Sequence, residues 1–262
     1  MKSFTAVILD NLEKIKSLNV PIVLALTTDE ETKMQSIKLV IKKLKELDIK
    51  PKLTIVGEPT NGEFCLSSSF GDEFVVKFFG KSAHSSKISQ GVNAICACAK
   101  LVQFIEKTQK KYNLTSNCGK ISGGEVVNKV PDYAQLSFDI RAIDVMEIEK
   151  FINEISLYIE NLKNEYNGLK VEMIKTFSVL GLDETKNDKI QKIANELGIK
   201  TNTFSGGCEA GYYKEYSGDA LIFGVGDLSL AHKPNEYVVV DEYNDYCKKI
   251  IDVLSKIKKY YF

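Results

Sequence analysis

The sequence is poor in two side chains that proteins often use for chemistry. Among its 262 residues are two histidines, and Arg141 is the single arginine of the chain. Any role of histidine in catalysis or metal binding therefore falls to His84 or His232. Net charge is also lacking, because 35 Lys and Arg residues balance 35 Asp and Glu residues. This balance argues against a nucleic acid or a membrane surface as a partner.

Long apolar runs and a leader pattern are missing as well. No apolar run has the length needed to span a bilayer, and the N-terminus lacks the charged-then-apolar pattern of a signal peptide. The six cysteines are scattered. Cys96 and Cys98 lie two apart on a predicted helix, where they point to different faces and form a poor metal pair. We interpret all six as reduced thiols and predict a cytoplasmic protein.

Apolar periodicity in the first quarter of the chain predicts an alternation of helices and strands. The predicted order is a helix over 3–19, a strand over 21–27, a helix over 34–48 and a strand over 52–57. The run "PIVLALT" (21–27) is apolar throughout, as is typical of a strand that is buried on both faces. The alternation predicts a parallel α/β sheet.

The middle of the chain changes character and predicts a separate α+β domain. Strands predominate there, at 72–80, 118–122, 134–141 and 169–175, with helices at 92–107 and 145–163. The α/β alternation then resumes, with helices at 187–197, 209–216 and 241–257 and strands at 200–204 and 220–224. We therefore predict an α/β domain built from 1–65 and 177–262, which is interrupted by an α+β domain at 66–176.

Polar side chains follow three of the predicted strands. Glu30 and Glu31 lie in "TTDEET", Glu58 in "VGEPT" and His232 in "AHKPNEY". Ligands gather at the carboxyl ends of strands in open α/β sheets, and Glu, Glu and His form a plausible ligand set for zinc. Taken singly, each motif has a simpler explanation: a solvated acidic turn, an ordinary Gly-Glu-Pro-Thr turn, and an exposed or structural histidine. The joint pattern favours a metal site.

Five motifs together carry a resemblance to a known family. "TTDEET", "VGEPT", "GKSAHSSKISQGVNAI", "VVNKVPDYAQLSFDIR" and "AHKPNEY" occur in this order. They resemble the zinc-dependent aminoacylase/carboxypeptidase family, which includes acetylornithine deacetylase and succinyl-diaminopimelate desuccinylase. "DEET" and the Glu209-Ala210 pair are most similar to the deacetylase. The resemblance implies a zinc-peptidase-like mixed sheet, interrupted by a lid and dimerisation domain through which two copies form a homodimer.

The resemblance also implies an activity and a role for each catalytic residue. The activity is hydrolysis of an N-acyl amino acid such as acetylornithine, with a desuccinylase or a dipeptidase as alternatives. Glu30 matches the general base, while Glu31 and His232 match ligands of one zinc and Glu58 a ligand of the other. Two zinc ions per site are implied, with cobalt as the alternative metal. His84 matches a histidine that stabilises the oxyanion and, in dimeric members, serves the partner's active site.

Four further residues are candidates for binding the substrate. Asn128 and Arg141 match residues that hold the substrate carboxylate, and a planar guanidinium suits that task better than lysine does. The alternative for Arg141 is a surface ion pair. Gly207 and Cys208 precede a predicted helix, so their backbone N–H groups could receive an anion. The family usually has Thr where this sequence has Cys208, which we interpret as a substitution and not as a nucleophile.

The family pattern has an earlier part for which the sequence has no counterpart. That part holds a His-x-Asp motif and an Asp that bridges both metals, followed by a Met-Lys pair that resembles the opening "MKSFTAVILD". Without it, neither metal position has the three protein ligands usual for catalytic zinc. Three explanations stay open: a misplaced start, a broken gene, or a second polypeptide that supplies the missing piece. A non-catalytic remnant, in which 66–176 alone folds and dimerises, is the alternative to an enzyme.

Overall fold

The computed structural model describes residues 2–184 and 186–262, which separate into two compact units. The α/β unit comprises the chain up to Ser69 together with Leu180–Phe262, and the α+β unit comprises Phe70–Val179. We had placed these two boundaries after residues 65 and 176. In both cases the chain enters and leaves the α+β unit on a strand, so the inserted unit begins and ends within its own sheet.

The described residues form eight α-helices and eight strands. In the α/β unit the helices are Lys2–Asp10 (α1), Leu12–Ser17 (α2), Gln35–Glu46 (α3), Asp188–Leu197 (α6), Ala210–Ser217 (α7) and Val240–Tyr261 (α8), and the strands are Thr54–Val56 (β1), Phe64–Ser68 (β2), Thr201–Phe204 (β7) and Ala220–Ile222 (β8). In the α+β unit the helices are Ala94–Thr108 (α4) and Val145–Glu165 (α5), and the strands are Phe70–Phe79 (β3), Leu114–Gly123 (β4), Tyr133–Ala142 (β5) and Lys170–Val179 (β6). None of these helices is both long and apolar enough to cross a membrane.

The α/β unit is built on a mixed sheet with the strand order β1-β8-β2-β7. β1 pairs with β8 and β2 pairs with β7, both in parallel, whereas β2 and β8 meet in an antiparallel pairing at Cys65 and Ile222. Helices α1, α6 and α8 contribute to the core beside this sheet. Phe64 and Phe223 pack there edge to face, with ring centroids 4.9 Å apart.

The α+β unit is an antiparallel sheet with the order β4-β5-β3-β6. Side chains along β3 and β5 alternate between buried and less buried positions, which is the period of a strand with one face in a core. Helices α4 and α5 contact each other and the sheet, so they cover this face. The prediction of a mixed α/β sheet together with a separate α+β sheet is confirmed.

The predicted strand over 21–27 is wrong. These residues are not a strand in the structure, and the large apolar side chains among them are between 43% and 62% exposed. An apolar run becomes a buried strand only when neighbouring strands and covering helices are present to bury it. Among the described residues, none pairs with this segment in a sheet.

The predicted helix over 3–19 is two helices, and the break lies at Asn11. The amide nitrogen of the buried Asn11 side chain donates to the Val7 carbonyl at 2.9 Å. Asparagine side chains compete with the backbone for such bonds, and therefore often interrupt helices. The first helix ends at Asp10 and the second begins at Leu12.

Candidate functional site

The site begins where β1 and β8 end side by side. Because the two strands are parallel, the residues that follow them lie at the same edge of the sheet. A Cβ atom on Gly224, after β8, would lie only 2.1 Å from the backbone oxygen of Glu58, after β1. The hydroxyl of Thr60 also accepts a hydrogen bond from the Gly224 N–H at 3.1 Å. This close packing fixes the backbone that carries Glu58.

Glu58 is a buried carboxyl group in an acidic neighbourhood. Glu58 is only 8% exposed to solvent. Burial raises the pKa of Glu58 to about 8, and the negative charge of Glu30 adds to that effect. A buried carboxylate beside other carboxylates is unfavourable unless a proton or a cation compensates its charge. Glu58 therefore has the environment of a group that binds a cation.

The acidic loop between residues 27 and 34 is organised by Asp29. Its carboxylate accepts from the Gln35 N–H at 2.7 Å and from the Ser36 N–H at 2.9 Å, and also from the Ser36 hydroxyl. These bonds, chiefly those from Ser36, lower the pKa of Asp29 to about 2. Asp29 thus satisfies the N–H groups that open α3, which is a capping role. This role is not evident from the sequence, because Asp29 lies several residues before the helix.

Glu30 has the properties of a general base. Burial, together with the nearby charges of Glu31 and Glu209, raises its pKa to about 7. A carboxyl group with a pKa near neutrality can both take up and release a proton at physiological pH. The predicted role of Glu30 rests on the family resemblance, and the electrostatics of the site agree with the chemistry of that role.

Glu31 and His232 are brought together by the structure. The imidazole Nε2 of His232 lies 3.2 Å from a carboxylate oxygen of Glu31. Two ligand atoms of one tetrahedral zinc, each about 2.0–2.1 Å from the metal, would lie roughly 3.3 Å apart. The pair therefore fits two positions of a zinc site. Catalytic zinc usually has three protein ligands, and among the described residues no group of three or more His, Cys, Asp or Glu side chains has a metal-binding arrangement.

The structure adds Glu209, a residue that we had used only to distinguish sub-families. Glu209 is 6% exposed, and one of its carboxyl oxygens accepts from the Thr27 hydroxyl at 2.8 Å. The other oxygen is buried and has no hydrogen-bond partner among the described residues. The charge of Glu209 raises the pKa of both Glu30 and Glu58, so it lies near them, and no local signal in the sequence indicates this.

Gly207 and Cys208 lie just before α7, which begins at Ala210 with Glu209 at its N-cap. The Cys208 side chain is fully buried, and burial raises the pKa of its thiol. A buried thiol of this kind is unreactive, in agreement with our interpretation of Cys208 as a substitution. The carboxyl group of Glu209 at the start of α7 also weakens the helix terminus as an anion site, because it repels a second negative charge.

In the α+β unit, the structure brings His84 and Asn128 together. The Ser85 N–H donates to the Asn128 carbonyl at 3.0 Å, and His84 forms an isolated bridge with Lys129. His84 is exposed, and its Nδ1 lies 2.8 Å from the hydroxyl of Ser86. This hydrogen bond orients the imidazole ring, so that its position is defined although it is accessible.

Arg141 lies far from this pair, at the other end of β5. Asn128 belongs to the loop that leads into β5 at Tyr133, whereas Arg141 is near the strand's last residue. At about 3.4 Å per residue, the two ends are on the order of 25 Å apart. One chain therefore does not assemble the expected carboxylate clamp from Asn128 and Arg141. Arg141 is exposed, and its Nε lies 3.2 Å from an Asp139 oxygen.

Comparisons of sequence relate the chain to metallohydrolases. Residues 72–167 match the peptidase dimerisation domain family of M20 type. The chain is 30% identical over 207 residues to an uncharacterized metallohydrolase of Methanocaldococcus jannaschii, covering 75% of this chain and 57% of that protein. It is also 30% identical over 256 residues to acetylornithine deacetylase of Buchnera aphidicola, covering 91% of this chain and 65% of that enzyme. The chain thus spans less than two thirds of the length of these relatives.

Comparisons of structure show the same fold. An aminopeptidase PepT from Bacillus cereus superposes with a TM-score of 0.78 at 19% identity, covering 98% of this chain and 70% of the other. A tripeptidase from Staphylococcus aureus gives a TM-score of 0.79 at 22% identity, with the same coverage of both chains. At these identities the likeness concerns the fold and not the substrate.

Proposed function

Because this chain belongs to the metallohydrolase family that includes acetylornithine deacetylase, we propose that it hydrolyses the amide bond of an N-acyl amino acid. The observation that supports this proposal is the cluster formed by Glu30, Glu31, Glu58 and His232. The charges of Glu30 and Glu31 contribute to the raised pKa of Glu58, and Glu31 and His232 lie 3.2 Å apart, which supports a shared site for these four residues.

Glu31 and His232 are proposed to hold one zinc ion and Glu58 to bind a second. A bound zinc supplies Lewis-acid polarisation of the amide carbonyl. Cobalt, whose affinity for such sites is also high, is an alternative metal. His232 has a φ of 61°, in the left-handed region that few side chains other than Asn, Asp and His adopt. This strained backbone position is consistent with a residue that the site requires.

Glu30 is proposed to move the protons of the reaction. Its carboxylate takes a proton from the attacking water and delivers it to the leaving nitrogen, which is left as an amine. A base with a pKa of about 7 suits both transfers at neutral pH. His84, with a ring nitrogen free of the bond to Ser86, is proposed to donate to the oxyanion.

The proposed substrate carries a free carboxylate, which Arg141 would bind. Its ion pair with Asp139 is exposed, and pairs of this kind contribute little to stability, so the guanidinium can exchange partners. Acetylornithine is the first substrate to test, because two similar proteins are named acetylornithine deacetylase. A desuccinylase or dipeptidase activity remains the alternative, and Asn128, Gly207 and Cys208 are proposed to add contacts to the bound substrate.

We further propose that two copies associate through residues 66–176, the predicted lid and dimerisation domain. The match to a peptidase dimerisation domain over 72–167 supports this proposal. The position of Arg141 at the opposite end of β5 from Asn128 agrees with it, since two copies can present both ends of the sheet to a substrate. The cytoplasmic location stays a prediction from the sequence.

The test uses the zinc-loaded chain with N-acetyl-L-ornithine as substrate. Replacing Glu30 by Gln is expected to lower kcat by about 10²–10⁴-fold, while zinc content measured by elemental analysis stays unchanged. Glu215→Gln, an identical change at an exposed position of the same unit and outside the five motifs, is the matched control and should retain full activity. Hydrolysis by the Glu30→Gln variant at the wild-type rate would disprove the role of Glu30. Absence of any N-acyl amino acid hydrolysis by the wild-type chain would contradict the proposed activity.

A further inference from the structure

We propose that Glu209 is a positioning residue, which holds the loop carrying Glu30 and Glu31 in place through its hydrogen bond to Thr27. The inference rests on the proposed function insofar as that loop supplies the base and a metal ligand. Glu209 itself touches neither, and is not assigned a catalytic role. The bond joins residues that are far apart in sequence but lie in the same compact unit.

The acidic loop is attached to the fold on both of its sides, in addition to the contact between Glu31 and His232. On its C-terminal side, Asp29 is bonded to the backbone of Gln35 and Ser36, which ties the loop to α3. On its N-terminal side lie residues 20–26, which are mostly exposed and for which no backbone–backbone hydrogen bond is found among the described residues. On that side the Thr28 N–H donates to the Ser36 hydroxyl at 3.3 Å, which ties the loop to α3 again, and the Thr27 hydroxyl donates to Glu209, which ties it to the start of α7.

The other end of the bond is anchored in the core. Glu209 immediately precedes α7, whose residues Ala210 and Tyr213 are buried. Gly211 packs so tightly that a Cβ atom there would lie 2.2 Å from the carbonyl oxygen of Leu180. The start of α7 therefore cannot shift without disrupting its neighbours. A hydrogen bond to Glu209 transmits this rigidity to Thr27 and to the loop that follows it.

The carboxyl group of Glu209 is a hydrogen-bond acceptor that is buried away from solvent. One carboxyl oxygen receives the Thr27 hydroxyl, and the other, although buried, has no partner among the described residues. Burying an unpartnered polar oxygen is costly, so the position needs a reason. Holding the loop beside Glu58 is such a reason, because Glu209 lies close enough to Glu30 and Glu58 for its charge to raise the pKa of both.

The direct test is amide hydrogen exchange of the metal-free chain over residues 28–36. The N–H groups of Thr32, Lys33 and Met34 donate to the Asp29 carbonyl and report on the opening of the loop. Thr27→Val and Glu209→Ala should each increase their exchange by about five-fold, the effect expected for loss of one hydrogen bond of average net strength. The double variant should add little to either single change, because both remove the same bond.

Conservative variants distinguish positioning from general destabilisation. Thr27→Ser keeps the donor and Glu209→Gln keeps an acceptor, so both should exchange at the wild-type rate. Thr201→Val, at an exposed position of β7, is the matched control and should also leave the loop unchanged. Wild-type exchange in Thr27→Val and Glu209→Ala would overturn the proposal. So would loss of protection in Glu209→Gln equal to that in Glu209→Ala, since charge and not the bond would then be responsible.

A second readout separates this proposal from the proposed function. Zinc affinity, measured by competition with a chromophoric chelator, should fall several-fold in Thr27→Val and be restored in Thr27→Ser. If the bond had only a structural role, the variants would differ in melting temperature, but Thr27→Val and Thr27→Ser would have the same zinc affinity. If exchange responds as expected and none of the proteins binds zinc, the tether stands and the proposed metal site fails. If zinc binds equally well to every variant, the tether does not position the ligands.

Discussion

Replacing Glu58 by Gln is expected to stabilise the metal-free protein, and the gain should grow with pH. In the folded chain, burial and the neighbouring carboxylates raise the pKa of Glu58 from 4.5 to about 8. In the unfolded chain the same group has its ordinary pKa. Below pH 4 the carboxyl is protonated in both states, so it does not affect stability. Between pH 4.5 and 8 the unfolded state loses the proton first, and stability falls as the pH rises.

The magnitude follows from the shift. Each pKa unit corresponds to about 1.4 kcal/mol, so the folded wild-type chain loses on the order of 3 kcal/mol between pH 4 and pH 7 through this group. Glutamine has nearly the same shape and cannot ionise, so Glu58→Gln should avoid this loss. For a chain of this size, the difference corresponds to a rise in melting temperature of roughly 6–12 °C at pH 7, and to almost none at pH 4.

The assay is differential scanning calorimetry in the presence of a chelator at a series of pH values. Glu215→Gln, on the surface of the same unit, serves as the control and should follow the wild-type curve within about 0.5 kcal/mol. If Glu58→Gln and the wild type have the same pH dependence between pH 4 and 7, Glu58 is not buried among carboxylates and the description of the site is incorrect. The expected gain in stability would be accompanied by the loss of the proposed metal ligand, a common trade-off at functional sites.

Two further predictions concern the backbone around the site. Gly224→Ala should lower the melting temperature by roughly 2–10 °C, because a Cβ atom 2.1 Å from the Glu58 oxygen forces overpacking at a cost of about 1–3 kcal/mol. The control is Gly119→Ala, whose Cβ would have its nearest contact at 3.4 Å, and it should melt like the wild type. Equal melting temperatures for the two variants would refute the close approach. Asp29→Ala should lower the urea midpoint of unfolding, because it removes the cap of α3. Asp29→Asn keeps an acceptor for Ser36 and should lower the midpoint less. Identical midpoints for the wild type and both variants would contradict the capping role.

Local patterns in the sequence were sufficient for the architecture and for part of the site. Alternating polarity over 134–141 and the apolar runs at 52–57 and 220–224 correspond to β5, β1 and β8. The rule that ligands gather at carboxyl ends of strands predicted that Glu58 and the segment after β8 would meet, and the structure shows their backbones in contact. These features depend on residues that are close in sequence or on a general property of sheets.

Features that depend on distant partners could not be predicted. The composition of 21–27 favours a strand, but whether a strand forms depends on neighbours that sequence periodicity does not describe. The separation of Asn128 from Arg141 follows from the length of β5 between them, which the motif match did not take into account. The bond between Thr27 and Glu209 joins two loops across the unit, and neither residue carries a local signal that points to the other.

The exposed apolar segment has a consequence for how this protein behaves at high concentration. Residues 22–27, Ile-Val-Leu-Ala-Leu-Thr, are six in succession without charge, proline or glycine. Short segments of this composition stack into the cross-β spine of amyloid fibrils, with their side chains interlocked between paired sheets. Folding normally hides such segments, whereas here the segment is accessible in the folded chain. Fibril nucleation through this segment therefore does not require the protein to unfold first. A charged substitution within these six residues would protect the native protein from aggregation.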